Sequence, residues 1–178
     1  MDSINQNQPE HNHEDLSGAK AIKKLTELVK VAKTCFFCTT DRNGGVADAR
    51  PMNVLQTDEQ GNLWFLSSSD SHKNEELQAN PTVRLFFQGS PHSEFLQLEG
   101  TATVSRDKAK IHELWKFVLK TWFTEGEDDA RITVVKVAPT HGYYWDNKHG
   151  NAVAGVKMMI GAAVGVTLDD SIEGQIKM

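Results

Sequence analysis

Cysteine is scarce in this chain of 178 residues, with Cys35 and Cys38 its two examples. That is too few for a disulfide-dense secreted scaffold, and one pair cannot fill a four-ligand zinc shell. A basic excess is missing as well: 19 Lys+Arg stand against 24 Asp+Glu, a net charge of −5. Without a positive field the chain is not expected to bind nucleic acid. No hydrophobic run is long enough for a membrane. The longest weakly polar stretch, residues 152–168, carries Lys157 and is diluted by Gly155, Gly161 and Gly165. It falls short of the ~20 strongly apolar residues of a spanning helix and reads as a packed or oligomer-facing C-terminal helix. The polar, acidic opening 1–15 lacks the apolar core of a signal peptide, so a cytoplasmic protein is expected.

What is present suits one domain that buries roughly 70% of its unfolded surface. Residues 1–15 show no hydrophobic periodicity and are expected to form a disordered tail, with His11 and His13 solvated in it; residues 16–178 form the domain. Ile22, Leu25, Leu28, Val29 and Ala32 recur three and four apart and predict an amphipathic helix over 18–33. Strands are predicted over 35–40, 46–57, 63–67, 83–88, 95–104 and 132–137, with a final short one over 174–178. Pro51 inside the second marks an edge strand or a bulge at 50–52. Gly100 falls on the inward face of the fifth, where a backbone can approach closely. A short helix is predicted over 72–79, ended by Asn80-Pro81. A second follows Asp107, with the stripe Ile111, Leu114, Trp115, Val118 and Trp122. About six strands without βαβ alternation predict a mainly β fold, an antiparallel barrel with peripheral helices.

Cys35 and Cys38 have redox-motif spacing, but residues three apart on a strand face opposite ways, so they read as buried structural thiols. His92, His112, His141 and His149 have no spacing for a metal site or a triad, and Gly44-Gly45 is a turn with no helix after it. The segment Leu66-Ser67-Ser68-Ser69-Asp70-Ser71-His72-Lys73 carries more chemistry. A strand runs through hydroxyl residues into a helix start, whose free N–H groups attract anions. Lys73 lies in that first turn, where the dipole disfavours a cation unless an anion is bound. An anion site and an ordinary capped helix with an exposed lysine both fit this pattern. Arg50, before Pro51-Met52-Asn53, is either a phosphate ligand at a strand kink or a surface arginine. Trp115 and Trp122 read as packing residues.

In order and spacing, Arg50-Pro51-Met52, Trp64 to Ser67, Ser71-His72-Lys73, Asn80-Pro81 and Glu99-Gly100 resemble the FMN-binding split-barrel superfamily that includes pyridoxamine-phosphate oxidase. Leu114-Trp115, Trp122-Phe123, Gly126, Asp128-Asp129, Pro139 and Tyr144-Trp145 resemble its general stress protein branch. The resemblance implies a six-stranded antiparallel split β-barrel. It implies a homodimer with flavin at the subunit interface, the cofactor being FMN with FAD as the alternative. Carried over by position, Arg50 and Lys73 would contact the phosphate, with Ser71 and His72 nearby. Pro51, Met52 and Asn53 would run along the ring, Leu66 and Ser67 would line ring and ribityl chain, and Trp145, with Trp115 or Trp122 from the partner chain as further candidates, would close the pocket. The oxidases follow that tryptophan with an Arg-x-His-x-Arg pattern; here Asn151, Val153 and Gly155 stand in those places, so pyridoxamine-phosphate oxidase activity is not expected. The expected function is that of a flavin-dependent oxidoreductase with an unknown small-molecule redox partner. The alternatives are a non-catalytic flavin-binding or sensing protein, or a barrel adapted to haem or a deazaflavin, for which no axial histidine stands out.

Overall fold

The computed structural model describes residues 11–150, apart from 42 and 44, together with 170–178. In chain order the elements are β1 (Leu16–Ser17), α1 (Ala19–Ala32), β2 (Thr34–Thr40), β3 (Val46–Asn53), β4 (Gln56–Thr57), β5 (Leu63–Ser68) and α2 (His72–Ala79). There follow β6 (Thr82–Gln88), β7 (Phe95–Ser105), α3 (Lys108–Leu114), β8 (Ile132–Asn147) and β9 (Ser171–Lys177). The glycine-rich helix expected over 152–168, and Asn151, Val153 and Gly155, lie outside the described residues.

The strands run in the order β1-β9-β8-β7-β6-β2-β3, and β5, carrying β4, joins at β8. The sheet therefore forks along one strand. Residues 132–137 of β8 pair with β5, residues 141–147 pair with β9, and its opposite edge follows β7. This is the split-barrel arrangement, mostly strand and not closed. β7 and β8 stay paired along their length because Gly100 absorbs a register shift: a Cβ there would lie 2.5 Å from the Ala138 carbonyl.

The apolar faces explain the layering. Ala21, Leu25, Leu28 and Val29 of α1 are buried together with Phe37, Phe65, Leu85, Leu98 and Tyr144 in the main core. Phe37 and Phe65 meet edge to face at 5.4 Å within it. A second cluster, Ile111, Leu114, Leu119, Phe123, Ile132 and Val134, covers the other side of β5 and β8. The candidate site opens beside this second cluster.

Three local expectations change, and a fourth is decided between its two alternatives. The returning strand 46–57 is two strands: at Val54 and Leu55 the chain leaves β2, with the Val54 N–H bonded to Lys33 O and the Leu55 N–H to Trp64 O. Of the edge strand or bulge expected around Pro51, the edge strand is what forms: Phe36 pairs with Pro51 in unbroken register, and β3 has a single neighbour, which is why proline is accepted. The helix after Asp107 ends at Leu114, Trp115 is extended, and a 3-10 turn spans Phe117–Thr121. Burying Leu119 and Phe123 on β5 and β8 turns the chain and leaves Val118 and Trp122 exposed, so Trp115 and Trp122 do not share a helix face. Finally, residues 11–15 are docked on β9: Asn12 is buried, the Glu14 N–H bonds Glu173 O, and Tyr144 donates to Glu14 O. A Cβ at Gly174 would collide with the Glu14 carbonyl, so this docking depends on glycine there.

Cys35 and Cys38 are buried, unpaired thiols, and desolvation pushes Cys35 up to about 12.

Candidate functional site

β5 ends in Ser67 and Ser68, and the chain bends through Ser69-Asp70-Ser71 into α2. The bend is fixed from behind. Asn74 donates to Ser68 O at 3.0 Å and to Thr133 Oγ1 at 2.9 Å, and Thr133 donates in turn to Ser67 O at 2.9 Å. In front, Ser67 Oγ and Ser71 Oγ meet at 3.2 Å, while Ser71, the N-cap of α2, makes no side-chain cap bond. Buried Ser68 Oγ has no partner among the described residues. The scaffold thus places all three hydroxyls: Ser67 Oγ also donates to Ser68 O at 3.4 Å, Ser71 Oγ has its contact with Ser67, and Ser68 Oγ is left over.

Lys73 is the central feature. Its side chain turns inward and the residue is 4% exposed. The ammonium lies 3.3 Å from Met52 Sδ and 5.9 Å from the centre of the Phe37 ring, with no ion pair among the described residues. A thioether is a weak acceptor. Burial, reinforced by the Arg50 charge and opposed by Glu76, pulls this lysine down to about 8. A capped helix with an exposed lysine is thus not what the chain builds.

Around Lys73 lies a cleft of about 660 Å³, lined by Pro51, Met52, Asn53, Leu55, Leu66, Ser67, Ser68, Asp70, Ser71, Leu119, Trp122, Phe123 and Arg131. One wall is hydroxyl and cation, the other apolar, and the size suits a drug-sized ligand. Of the residues singled out from sequence, Pro51, Met52, Asn53, Leu66, Ser67, Ser71 and Lys73 come together here. Three do not. Arg50 is held by Asp48 and by Glu76 at 3.0 Å, and Glu76 also accepts from Thr39 at 2.6 Å. His72 points to solvent, 3.7 Å from Glu75. Trp145 stacks on Tyr143 at 4.7 Å and lines a separate, apolar cleft of about 560 Å³ with Phe36, Phe86, Phe95 and Pro51. That second cleft has no charged lining residue, so it has nothing to neutralise a phosphate.

Arg131 was not singled out from sequence. Its guanidinium forks onto buried Asp129, Nε to Oδ1 at 3.0 Å and Nη2 to Oδ2 at 2.7 Å, which holds that carboxyl down at about 2. Arg131 reaches the cleft because its carbonyl accepts from Ser69 N–H at 2.7 Å where β8 joins β5. The β5–β8 pairing carries that placement, and no local motif announces it.

The donor set suits an amphiphilic ligand with a planar apolar part and an anionic tail. The tail would meet Lys73 and the three serine hydroxyls, and the unpartnered Ser68 Oγ marks where an acceptor is wanted.

Comparison with known proteins bears on the family and the fold. A family model described as pyridoxamine 5'-phosphate oxidase like matches residues 20–169. The Neurospora crassa protein bli-3 is 24% identical over 132 residues, 69% of this chain and 63% of that protein, so the chain spans less than two thirds of it. A protein related to general stress protein 26 from Clostridium acetobutylicum has a similar solved structure, with a TM-score of 0.60 at 24% identity over 71% of this chain and 89% of that one. The general stress FMN/FAD binding protein of Xanthomonas citri superposes with a TM-score of 0.57 at 22% identity, covering 68% of this chain and 84% of that one. At these identities the solved structures establish a common fold. Among the described residues no helix is long and apolar enough to cross a membrane.

Proposed function

This chain belongs to the pyridoxamine 5'-phosphate oxidase-like family, and from that premise we propose that its Lys73 cleft binds FMN in a flavin-dependent oxidoreductase of the general stress protein type. The observation that carries the reading is a buried ammonium whose one hydrogen-bond acceptor among the described residues is a thioether sulfur, facing a bend of serine hydroxyls. Leaving a charge so poorly solvated costs stability, and a phosphate would relieve that cost. Lys73, Ser67, Ser68 and Ser71 would hold the phosphate end. Pro51, Met52, Asn53 and Leu66 would lie against the ring and ribityl chain, with Leu119 and Phe123 shielding the apolar wall from water. Bound flavin would supply hydride or electron transfer, and the protein its orientation and surroundings. Arg50 acts at one remove, through Glu76 and through its field on Lys73.

The working unit in this reading is a homodimer. Phe36 is 58% and Phe86 40% exposed on one sheet face beside Trp145, an apolar surface of the kind that marks an interface. A second copy on that face would set Trp145 at the subunit boundary.

The test is a titration of the flavin-free protein with FMN, FAD and riboflavin, followed by flavin fluorescence. FMN is expected to bind, with riboflavin weaker by at least about tenfold because it lacks the phosphate. Equal affinity for FMN and riboflavin overturns the phosphate assignment. Repeated reduction of bound flavin by NADH or NADPH and reoxidation by an acceptor identifies catalysis; binding without turnover, whatever the donor, leaves a flavin carrier.

A further inference from the structure

The well-placed target for oxidation in the cleft is not a cysteine. Both thiols are buried, and desolvation raises the pKa of each, so little reactive thiolate is present. Met52 differs. It is half-buried, lines the Lys73 cleft, and its sulfur touches a buried ammonium that has no ion pair among the described residues. Sulfur has two lone pairs. The ammonium engages one, and the other remains able to attack an oxidant entering the cleft.

We propose that Met52 is a redox modification site: hydrogen peroxide converts its thioether to the sulfoxide, whose oxygen captures the Lys73 ammonium and closes the anion-binding corner. A sulfur lone pair attacks one peroxide oxygen and the O–O bond breaks. The proton of the transferred hydroxyl passes to the departing hydroxide, which leaves as water. Sulfur loses two electrons and peroxide gains them, so no other reactant is needed. The product carries a strong, polar oxygen on the sulfur's free side, and rotation of the flexible Met52 side chain turns that oxygen onto the ammonium. Lys73, already desolvated, then has an internal partner, and an incoming phosphate must break a charge-assisted hydrogen bond to reach it. The change is reversible by methionine sulfoxide reduction. Its consequence for the cofactor rests on the flavin reading given above; its consequence for Lys73 does not.

The experiment treats the full chain with hydrogen peroxide, locates the added oxygen by peptide mass, and reads two properties before and after. The first is the titration of Lys73, followed by its Cε chemical shift in lysine-labelled protein, which is expected to move upward once the sulfoxide forms. The second is FMN affinity, expected to fall about tenfold and to return after sulfoxide reduction. In Met52→Leu, a volume-conserving change, peroxide is expected to alter neither property relative to that variant's own untreated state. Met52→Gln, which carries a permanent oxygen acceptor, is expected to imitate the oxidised protein without peroxide. The proposal is overturned if Met52 escapes oxidation, if its sulfoxide leaves the Lys73 titration in place, or if Met52→Leu responds to peroxide as the parent does. If the untreated protein binds no FMN, the cofactor reading fails, and the Lys73 titration alone decides this one.

Discussion

The floor and the rim of the cleft both carry a cation, and the two are treated in opposite ways. At the rim, Arg131 is half-exposed and forked onto Asp129; just outside, Arg50 is shared between Asp48 and Glu76. At the floor, Lys73 is almost fully buried and, among the described residues, its ammonium meets sulfur and an aromatic ring with no ion pair. The rim cations have their counter-ions in the same chain, so they hold the backbone in place. The floor cation has no ion pair among the described residues and feels only the field of Glu76, itself bound to Arg50, so much of its charge is left for something else to balance. Partnership, and not residue type, separates a structural cation from a binding one.

The largest expected effect tests the floor. Lys73→Glu sets an anion where an anion must bind, and FMN affinity is expected to fall more than about 100-fold by fluorescence titration. Lys73→Met is the sharper variant. It keeps an apolar chain and removes the buried charge, so it is expected to lose FMN while gaining about 1–3 kcal/mol of stability in urea, since an unpaired buried charge is costly. A destabilised Lys73→Met protein would mean that Lys73 is already well compensated, and the contrast with the rim would fail.

The next effect is in pH. Lys73 titrates near 8 in the folded protein against 10.5 for an ordinary lysine. Loss of its proton removes the binding charge, so FMN affinity is expected to decline above pH 8, by at most about tenfold per unit. Stability of the flavin-free protein has the opposite sign. The unfolded chain holds more protons between about 8 and 10.5, so stability rises across that window. The rim behaves in the usual carboxylate way. Asp129, lowered from 3.8 to about 2 chiefly by its Arg131 hydrogen bond, adds stability that is present above 3.8 and lost as pH falls towards 2. Asp129→Asn is expected to flatten that acid limb, read by thermal melting from pH 5 to 2, and to lower the melting temperature at neutral pH without abolishing FMN binding.

Much of this site could be read in sequence because its signals are local. The serine bend, the helix start and a lysine in the first turn adjoin one another in the chain, and the strand carrying Pro51, Met52 and Asn53 has its own edge-strand mark. What could not be read depends on pairing at a distance. Arg131 enters the cleft because β8 lies beside β5, and Trp145 leaves it because β8, 16 residues long, runs on past the fork. Leu119 and Phe123 were hidden for another reason. A helical stripe continues through Val118 and Trp122, and only the need to cover β5 and β8 breaks the helix at Trp115. The docked segment 11–15 carries no hydrophobic period at all; it is held mainly by main-chain bonds to β9 and by the Tyr144 hydroxyl.

The smallest effect comes from the residue that sequence ranked beside Lys73. Arg50 already donates to two carboxylates and does not line the cleft, so removing it deletes no contact to a bound phosphate. Two consequences oppose each other. The positive field around the site weakens, which lowers anion affinity. The repulsion that helps depress Lys73 disappears as well, and Glu76, relieved of Arg50, is left to act on Lys73 alone, which raises the lysine titration. Arg50→Ala is therefore expected to weaken FMN only two- to fivefold, about 0.5–1 kcal/mol, while Lys73 titrates above its parent value. The double variant Arg50→Ala/Glu76→Gln is expected to recover most of that loss, because it removes the carboxylate that competes for the ammonium. A loss in Arg50→Ala as deep as in Lys73→Glu would move Arg50 from the rim to the floor.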